Sequence, residues 1–291
     1  MGYYLDWKTD GAGWPNNAAS RFVDAAGMPW HVQVMGEGPA LLLLHGTGAA
    51  THSWRGVMPK LAAHYTVVAM DLPGHAFTQP PSKTSLSLPG MAAAVASLLR
   101  TLKVEPVRAA GHSAGAAVLV RMAVERLFAP DDIISFNGAF FPVTGVAGQF
   151  FSPLAKTFAS AAIVRKMFAK MADRKAVERL LRDTGSKIDA EGISLYQKLF
   201  SNEGHIAGTL GMMAAWDLHW APQDLKNLPV PIKLAYATGD RTIAPARAAE
   251  AAKLAPRASL VEIRGLGHLA HEEDPAGAAA IIADPASFTL R

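Results

Sequence analysis

Short apolar runs recur along the chain, and their pattern separates strands from helices. Pro29 to Met35 alternates, with Trp30, Val32 and Val34 on one side, as a half-buried strand does. Leu41 to Leu44 is continuous instead, which is how a strand covered on both faces reads. Val67 to Met70, Val107 to Gly111, Ile133 to Phe136, Ile232 to Tyr236 and Leu260 to Ile263 share that character, and Ser20 to Ala25 is a further extended segment. Helical spacing marks Leu86 to Leu102, through Met91, Val95, Leu98, Leu99 and Leu102. Further helices fit Ala114 to Leu127, Ala244 to Leu254 and Pro275 to Ile282. Strands alternating with helices predict a mostly parallel α/β sheet with helices on both faces.

The alternation breaks once. From Phe140 to Ala221 the pattern is helical with no convincing strand, and strand–helix alternation then resumes. The expected division is a core of residues 1–139 and 222–291, with a helical cap of residues 140–221 inserted after the sixth strand. Residues 1–19 are rich in Gly, Asn and Ala around a Trp-Pro step, and predict a loosely packed arm.

Composition narrows the class. Of 291 residues, 50% are hydrophobic and 18% charged, which excludes a disordered chain. The absence of cysteine excludes disulfides, thiolate zinc sites and iron–sulfur clusters. The longest apolar run, Ile206 to Trp216, is interrupted by Gly208, Thr209 and Gly211, well short of the ~18 residues that span a bilayer. Met1 to Thr9 lacks the basic start and apolar core of a signal peptide, so a cytoplasmic location is expected. A net charge of +4 with no recognisable nucleic-acid-binding fold gives no reason to expect nucleic acid.

The chemistry centres on Gly111-His112-Ser113-Ala114-Gly115, a G-x-S-x-G placed after a strand and before a helix. So tight a turn leaves no room for side chains two residues from the nucleophile, and it lifts the serine hydroxyl to the rim of the sheet. Asp240 follows the Ile232 strand and His268 follows the Leu260 strand. Ser, Asp, His in that order, each at the carboxyl end of a strand, suits one convergent site. Ser113 would attack, His268 would carry the proton, and Asp240 would hold the imidazole tautomer. Asp240 as a plain helix cap and His268 as an idle loop residue are the alternatives. His271, a rival base, lies one helical turn on and is expected to face elsewhere.

The turn His45-Gly46-Thr47-Gly48 follows the Leu41 strand and can aim backbone N–H groups at an oxyanion. Thr47, with Gly48 as the alternative, would supply one donor and Ala114 the other. No HExxH or carboxylate–histidine cluster points to a metal, and no GxGxxG follows a strand, so no cofactor is expected.

With HGTG at 45–48, DLPGHAFT at 71–78, GHSAG at 111–115, GD at 239–240 and GLGH at 265–268, the chain resembles a serine-nucleophile α/β-hydrolase with a helical cap. Ala76 and Thr78 stand where that pattern usually has Gly and Ser. Serine at 113 separates the chain from dehalogenases and epoxide hydrolases of the same fold, which need an aspartate. More narrowly, residues 41–55, 111–123 and 212–218 are similar to the magnesium-chelatase-associated hydrolases of bacteriochlorophyll biosynthesis. That resemblance implies a small-molecule substrate in a magnesium-tetrapyrrole setting, such as a tetrapyrrole ester. It also implies an association with magnesium chelatase, and it leaves open a non-catalytic, pigment-binding accessory role.

Lys156 to Lys187 holds nine Lys/Arg against three Asp/Glu. An amphipathic cap helix with its basic face in water explains this. A helix resting peripherally on an anionic membrane, or a face for an acidic substrate, are the sharper readings. Phe140, Phe141, Phe150, Phe151, Met212, Met213 and Trp216 are candidate walls of a large apolar pocket, or simply cap core.

Overall fold

The structure is a computed structural model that describes residues 4–142 and 172–284. Its strands are β1 (Ser20–Ala25), β2 (Met28–Met35), β3 (Ala40–Leu44), β4 (Thr66–Met70), β5 (Arg108–His112), β6 (Asp132–Phe136), β7 (Ile232–Ala237) and β8 (Ala258–Ile263). They form one sheet in the order β1-β2-β4-β3-β5-β6-β7-β8. The β1–β2 and β2–β4 pairs are antiparallel, and every pair from β4 to β8 is parallel.

The helices among the described residues are α1 (Trp7–Asp10), α2 (Met58–Leu61), α3 (Leu88–Leu102), α4 (Ala114–Val124), α5 (Arg174–Asp183), α6 (Ala190–Phe200), α7 (Glu203–Ala215), α8 (Ala221–Lys226), α9 (Ala246–Leu254), α10 (Ala270–Glu273) and α11 (Pro275–Ala283). Ser87, Asp173, Asp189 and Asn202 cap α3, α5, α6 and α7 through side-chain oxygens. Such caps satisfy orphan N–H groups and contribute roughly 1 kcal/mol each.

The continuous leucine run is buried on both sides. Leu42 and Leu44 join a core with residues of α3, α4, α8 and α9, while Leu41 and Leu43 join another with residues of α2 and α11. All four are fully buried, each worth roughly 1.5–3 kcal/mol of transfer free energy. The register sets Leu44 beside Gly111, Gly111 beside Ser135, and Phe136 beside Ala235. The turns after β3, β5, β6 and β7 therefore open on one edge of the sheet, the edge where ligands of parallel sheets bind.

Helices α5 to α7 lie between β6 and β7 in the chain; Met212 of α7 joins the first core, while α5 and α6 form a third core with Ala49, Ala50, Phe77 and Leu269. Trp14 belongs to this core, so the expected loose arm is corrected. Trp14 is 2% exposed, its Nε1 donates to Thr51 Oγ1 at 2.9 Å, and its ring meets Phe77 edge-on at 5.0 Å. Trp7 also packs on Phe77 at 5.1 Å. Two tryptophans supply more apolar area than the small residues around them give up.

The far end of the sheet is closed by cations. Arg108 grips Asp132 with two nitrogens at 2.7 Å each. The buried Lys233 donates to Ile281 O at 2.8 Å and Asp284 O at 3.2 Å, capping the carbonyl end of α11.

Candidate active site

β5 enters α4 through Ser113, whose φ of 49° and ψ of −113° are strained for a residue with a side chain, at a cost of roughly 1–3 kcal/mol. The strain is enforced from both sides. A Cβ on Gly111 would stand 2.5 Å from Ala116 N, and one on Gly115 would overlap the carbonyl oxygen of Leu44. Ser113 N–H donates to Phe136 O at 2.9 Å, and Ser113 O accepts from Ala139 N at 3.1 Å. The elbow is thereby pinned to the end of β6.

Across the edge, His268 Nδ1 donates to Asp240 Oδ2 at 2.7 Å. The other carboxylate oxygen accepts from Thr242 N at 2.7 Å and Ile243 N at 2.9 Å. Asp240 thus has a fixed orientation, and Nε2 of the neutral imidazole is left as the basic nitrogen. His112, next to Ser113, donates from Nε2 to His268 O at 2.9 Å, and the two rings lie 4.7 Å apart. Among the described residues Ser113 Oγ itself has no hydrogen-bond partner.

Gly46 lies against the elbow, its would-be Cβ 3.1 Å from Ser113 Cβ. Ala49 N closes the turn onto Gly46 O at 3.2 Å, and Gly48 has φ +77°, the combination of a type II turn. Among the described residues the N–H groups of Thr47, Gly48 and Ala114 have no acceptor. His45 braces the turn from below, with Nδ1 donating to Gly46 O at 2.8 Å and Nε2 accepting from Leu72 N at 2.9 Å.

Other positioning residues escape motif reading. Asn137, with φ 48°, donates to His268 O at 2.8 Å and accepts from Ala237 N at 2.8 Å. Thr184 O accepts from Arg241 N at 3.1 Å and His268 N at 3.3 Å. Ser186 Oγ accepts from Leu269 N at 2.8 Å. The turn after α5 is therefore stitched to both loops that carry Asp240 and His268. Glu272 further fastens α6, accepting from Tyr196 Oη at 2.7 Å and from Arg55 Nη1 at 2.7 Å. Burial pushes the Glu272 carboxyl up to about 7 against the pull of Arg55. The only sequence signal for these contacts is asparagine at a tight turn.

His271 is fully buried, stacked 4.4 Å from His112 and 4.5 Å from Trp54, and neither ring nitrogen has a partner among the described residues. Burial, with His268 nearby, holds its pKa down at about 3. Asp240 pairs with His268 rather than with His271. A second Ser–His–Asp chain also exists: His31 bonds Ser20 Oγ at 3.0 Å and Asp71 Oδ2 at 2.8 Å. Burial raises the Asp71 pKa, but His31 and the Thr51 N–H outweigh it and hold the carboxyl at about 2. His31 is enclosed by Trp7, Phe22 and Phe77, so this chain braces the DLPG turn.

Phe140 and Phe141 line a cavity of about 340 Å³ with Asp240, Arg241 and Arg247. Met212 is buried and accepts from Thr47 Oγ1 at 3.6 Å through its sulfur. Trp216 is also buried, and Met213 is half-buried. Phe150, Phe151 and residues 156–171 of the basic stretch 156–187 lie outside the described residues. Among the described residues no group of three His, Asp or Glu is placed to hold a metal, and no helix is long and apolar enough to cross a membrane.

A strained serine on a strand–helix elbow and an Asp–His pair on the same sheet edge define a class, and comparison with known proteins identifies it. Residues 41–281 match the Alpha/beta hydrolase family. The chain belongs to that family. It is 35% identical over 276 residues to the magnesium-chelatase 30 kDa subunit of Rhodobacter capsulatus, covering 94% of this chain and 96% of that one. Among solved structures, an alpha/beta hydrolase fold protein from Burkholderia ambifaria superposes with a TM-score of 0.73 at 21% identity, over 91% of this chain and 99% of that one. An epoxide hydrolase gives 0.73 at 20% identity, covering 90% and 96% of the two chains. A serine hydrolase involved in carbazole degradation gives 0.72 at 20% identity, covering 90% and 96%. The fold is common to different chemistries, so the residue at the elbow has to distinguish them.

Proposed function

We propose that this hydrolase cleaves an ester or related acyl bond through an acyl-enzyme on Ser113. The observation that carries the reading is the Asp240–His268 pair, bonded at 2.7 Å, on the same edge as a strained serine. His268 Nε2 takes the Ser113 hydroxyl proton as Oγ attacks the carbonyl carbon, and the resulting oxyanion is held by the N–H of Ala114 and of Thr47, with Gly48 as the alternative. Collapse expels the alcohol, which receives the proton from His268. Water then enters, gives a proton to His268, and releases the acid and the serine. Asp240 keeps Nδ1 protonated throughout, so Nε2 always faces the reaction.

In this reading residues 140–221 form the cap over a core of residues 1–139 and 222–291. The substrate is a large apolar ester, and the likeness to a magnesium-chelatase subunit over nearly the whole chain supports a magnesium-tetrapyrrole ester. The protein would act in the cytoplasm, in company with the chelatase or at the membrane surface. The same likeness favours a second reading, a pigment-binding accessory protein that does not depend on the triad.

Reaction with a fluorophosphonate probe tests the choice. Labelling of the wild type that disappears in both Ser113→Ala and His268→Ala supports the hydrolase. A folded wild type that stays unlabelled overturns it, and a spectral shift on titration with magnesium protoporphyrin would then favour the accessory role.

A further inference from the structure

Helix α7 hydrogen-bonds the backbone of the oxyanion turn through a fully buried side chain, His205. Its Nε2 donates to Gly48 O at 3.1 Å, and its Nδ1 accepts from Ala76 N at 3.0 Å. One bond goes to the turn that offers Thr47 and Gly48, the other to the DLPGHAFT loop. Each ring nitrogen has a single role, donor at Nε2 and acceptor at Nδ1, so the neutral tautomer is specified by its partners.

The rest of α7 lies along the same surface. Gly208 is pressed against the backbone of Gly74, where any side chain would overlap the Gly74 carbonyl oxygen. Thr209, and Phe200 at the end of α6, flank Gly48 so that a Cβ there would meet each at ordinary contact distance, and Met212 takes the Thr47 hydroxyl. Burial, with the Gly48 bond opposing it, holds the His205 pKa down at about 4. The bridge therefore persists through neutral pH.

We infer that His205 is a positioning residue for the oxyanion hole: by holding the Gly48 carbonyl it sets the Thr47–Gly48 turn, and so makes the hole depend on α7 being seated. The inference rests on the hydrolase reading for its catalytic consequence. The Gly48 carbonyl belongs to the peptide that carries the Ala49 N–H, and that N–H closes onto Gly46 O at 3.2 Å, in the peptide whose N–H is that of Thr47. Fixing the first peptide therefore orients the second, and oxyanion donors act only when preorganised. Asp71, His45, His75 and His112 are other titratable groups packed around this turn. Asp71 is bonded to His31 and Thr51, His45 donates to Gly46 O within the turn, His75 lies 5.4 Å from the His205 ring, and His112 borders Gly46.

The test separates the two ring nitrogens. In His205→Gln the amide NH₂ stands near Nε2 and can keep the bond to Gly48 O. In His205→Asn the amide oxygen stands near Nδ1 and can keep only the bond from Ala76. With a p-nitrophenyl ester, the expected result is kcat within about 3-fold of wild type for Gln and lowered by about 10- to 100-fold for Asn and Ala, with KM little changed. Hydrogen exchange at the Ala49 amide, which closes the turn, should quicken in Asn and Ala but not in Gln. Equal kcat for Asn and Gln, or a wild-type rate in a folded Ala variant, overturns the proposal. If the wild type hydrolyses no ester and takes no fluorophosphonate, the hydrolase reading fails by itself. The exchange data then decide: an Ala49 amide unchanged in His205→Ala overturns positioning, and one quickened in Ala and Asn only supports it.

Discussion

The Asn137 amide holds the carbonyl of His268 at 2.8 Å while its oxygen takes the Ala237 N–H at 2.8 Å. One side chain thus ties the end of β6 to β7 and to the loop that carries His268. The left-handed φ of 48° at this position is one that asparagine tolerates better than most residues. Asn137→Asp keeps the acceptor for Ala237 but turns a carboxylate oxygen toward the carbonyls of Gly267 and His268. It should cost roughly 2–4 kcal/mol, because a buried donor pair becomes a repulsive one. Urea unfolding of Asn137→Asp beside Asn137→Ala measures it, and an aspartate variant as stable as wild type would remove Asn137 from this role.

Ser186 makes a prediction about how the helical segment serves the site. Its Oγ is the acceptor for Leu269 N, one residue past His268, and the residue is 3% exposed. Ser186→Ala leaves that buried N–H unpaired, at roughly 1–3 kcal/mol. Both stability and the rate of probe labelling at Ser113 should fall, because the His268 loop loses a support. A variant that loses stability but labels at the wild-type rate would show that the bond serves folding alone.

The core was legible because its chemistry is periodic. Leu41 to Leu44 can only be buried on both faces, and β3 is. The elbow was legible because Gly111 and Gly115 are demanded by contacts within a few residues and with the neighbouring strand. Asn137, Ser186 and His205 were not, since each acts on a partner 83 to 157 positions away, and nothing local marks such a pairing. The arm misled for the opposite reason: its small residues suggested looseness, while Trp7 and Trp14 reach across to Phe77.

Asp240→Asn tests the orientation of the base. The amide would still accept from Thr242 and Ile243, so the loop should hold its shape. Facing His268, asparagine favours the wrong tautomer, with the proton on Nε2 and no acceptor for Ser113. In an enzyme of this kind the turnover should drop by about 10⁴-fold while KM changes little. A loss below about 10-fold in steady-state ester hydrolysis would mean that His268 is not oriented by Asp240 during the reaction.

Acid should unfold this protein early, and the reason is its histidines. His45, His52, His75, His112, His205 and His271 are all fully or almost fully buried, and burial is the largest cause lowering the pKa of each. In the unfolded chain each returns to about 6.5. As pH falls below that value the unfolded state binds protons that the folded state refuses, so stability present above pH 6.5 is lost on acidification. With the five held furthest down (His52, His75, His112, His205 and His271) contributing, and Glu272, raised to about 7 in the fold, opposing them, the slope approaches ~5 kcal/mol per pH unit, against a typical total of ~5–15 kcal/mol. The fold should therefore fail near pH 5, before Asp71, held at about 2, begins to protonate in the folded state. Chemical unfolding at intervals from pH 8 to pH 5 measures this, and a stability unchanged across that range would refute it. His52→Phe sharpens the test, since neither ring nitrogen of His52 has a partner among the described residues and its ring packs on Trp14 and Tyr196. Removing that one titrating group should lower the slope by about 1.4 kcal/mol per pH unit and move the acid midpoint downward.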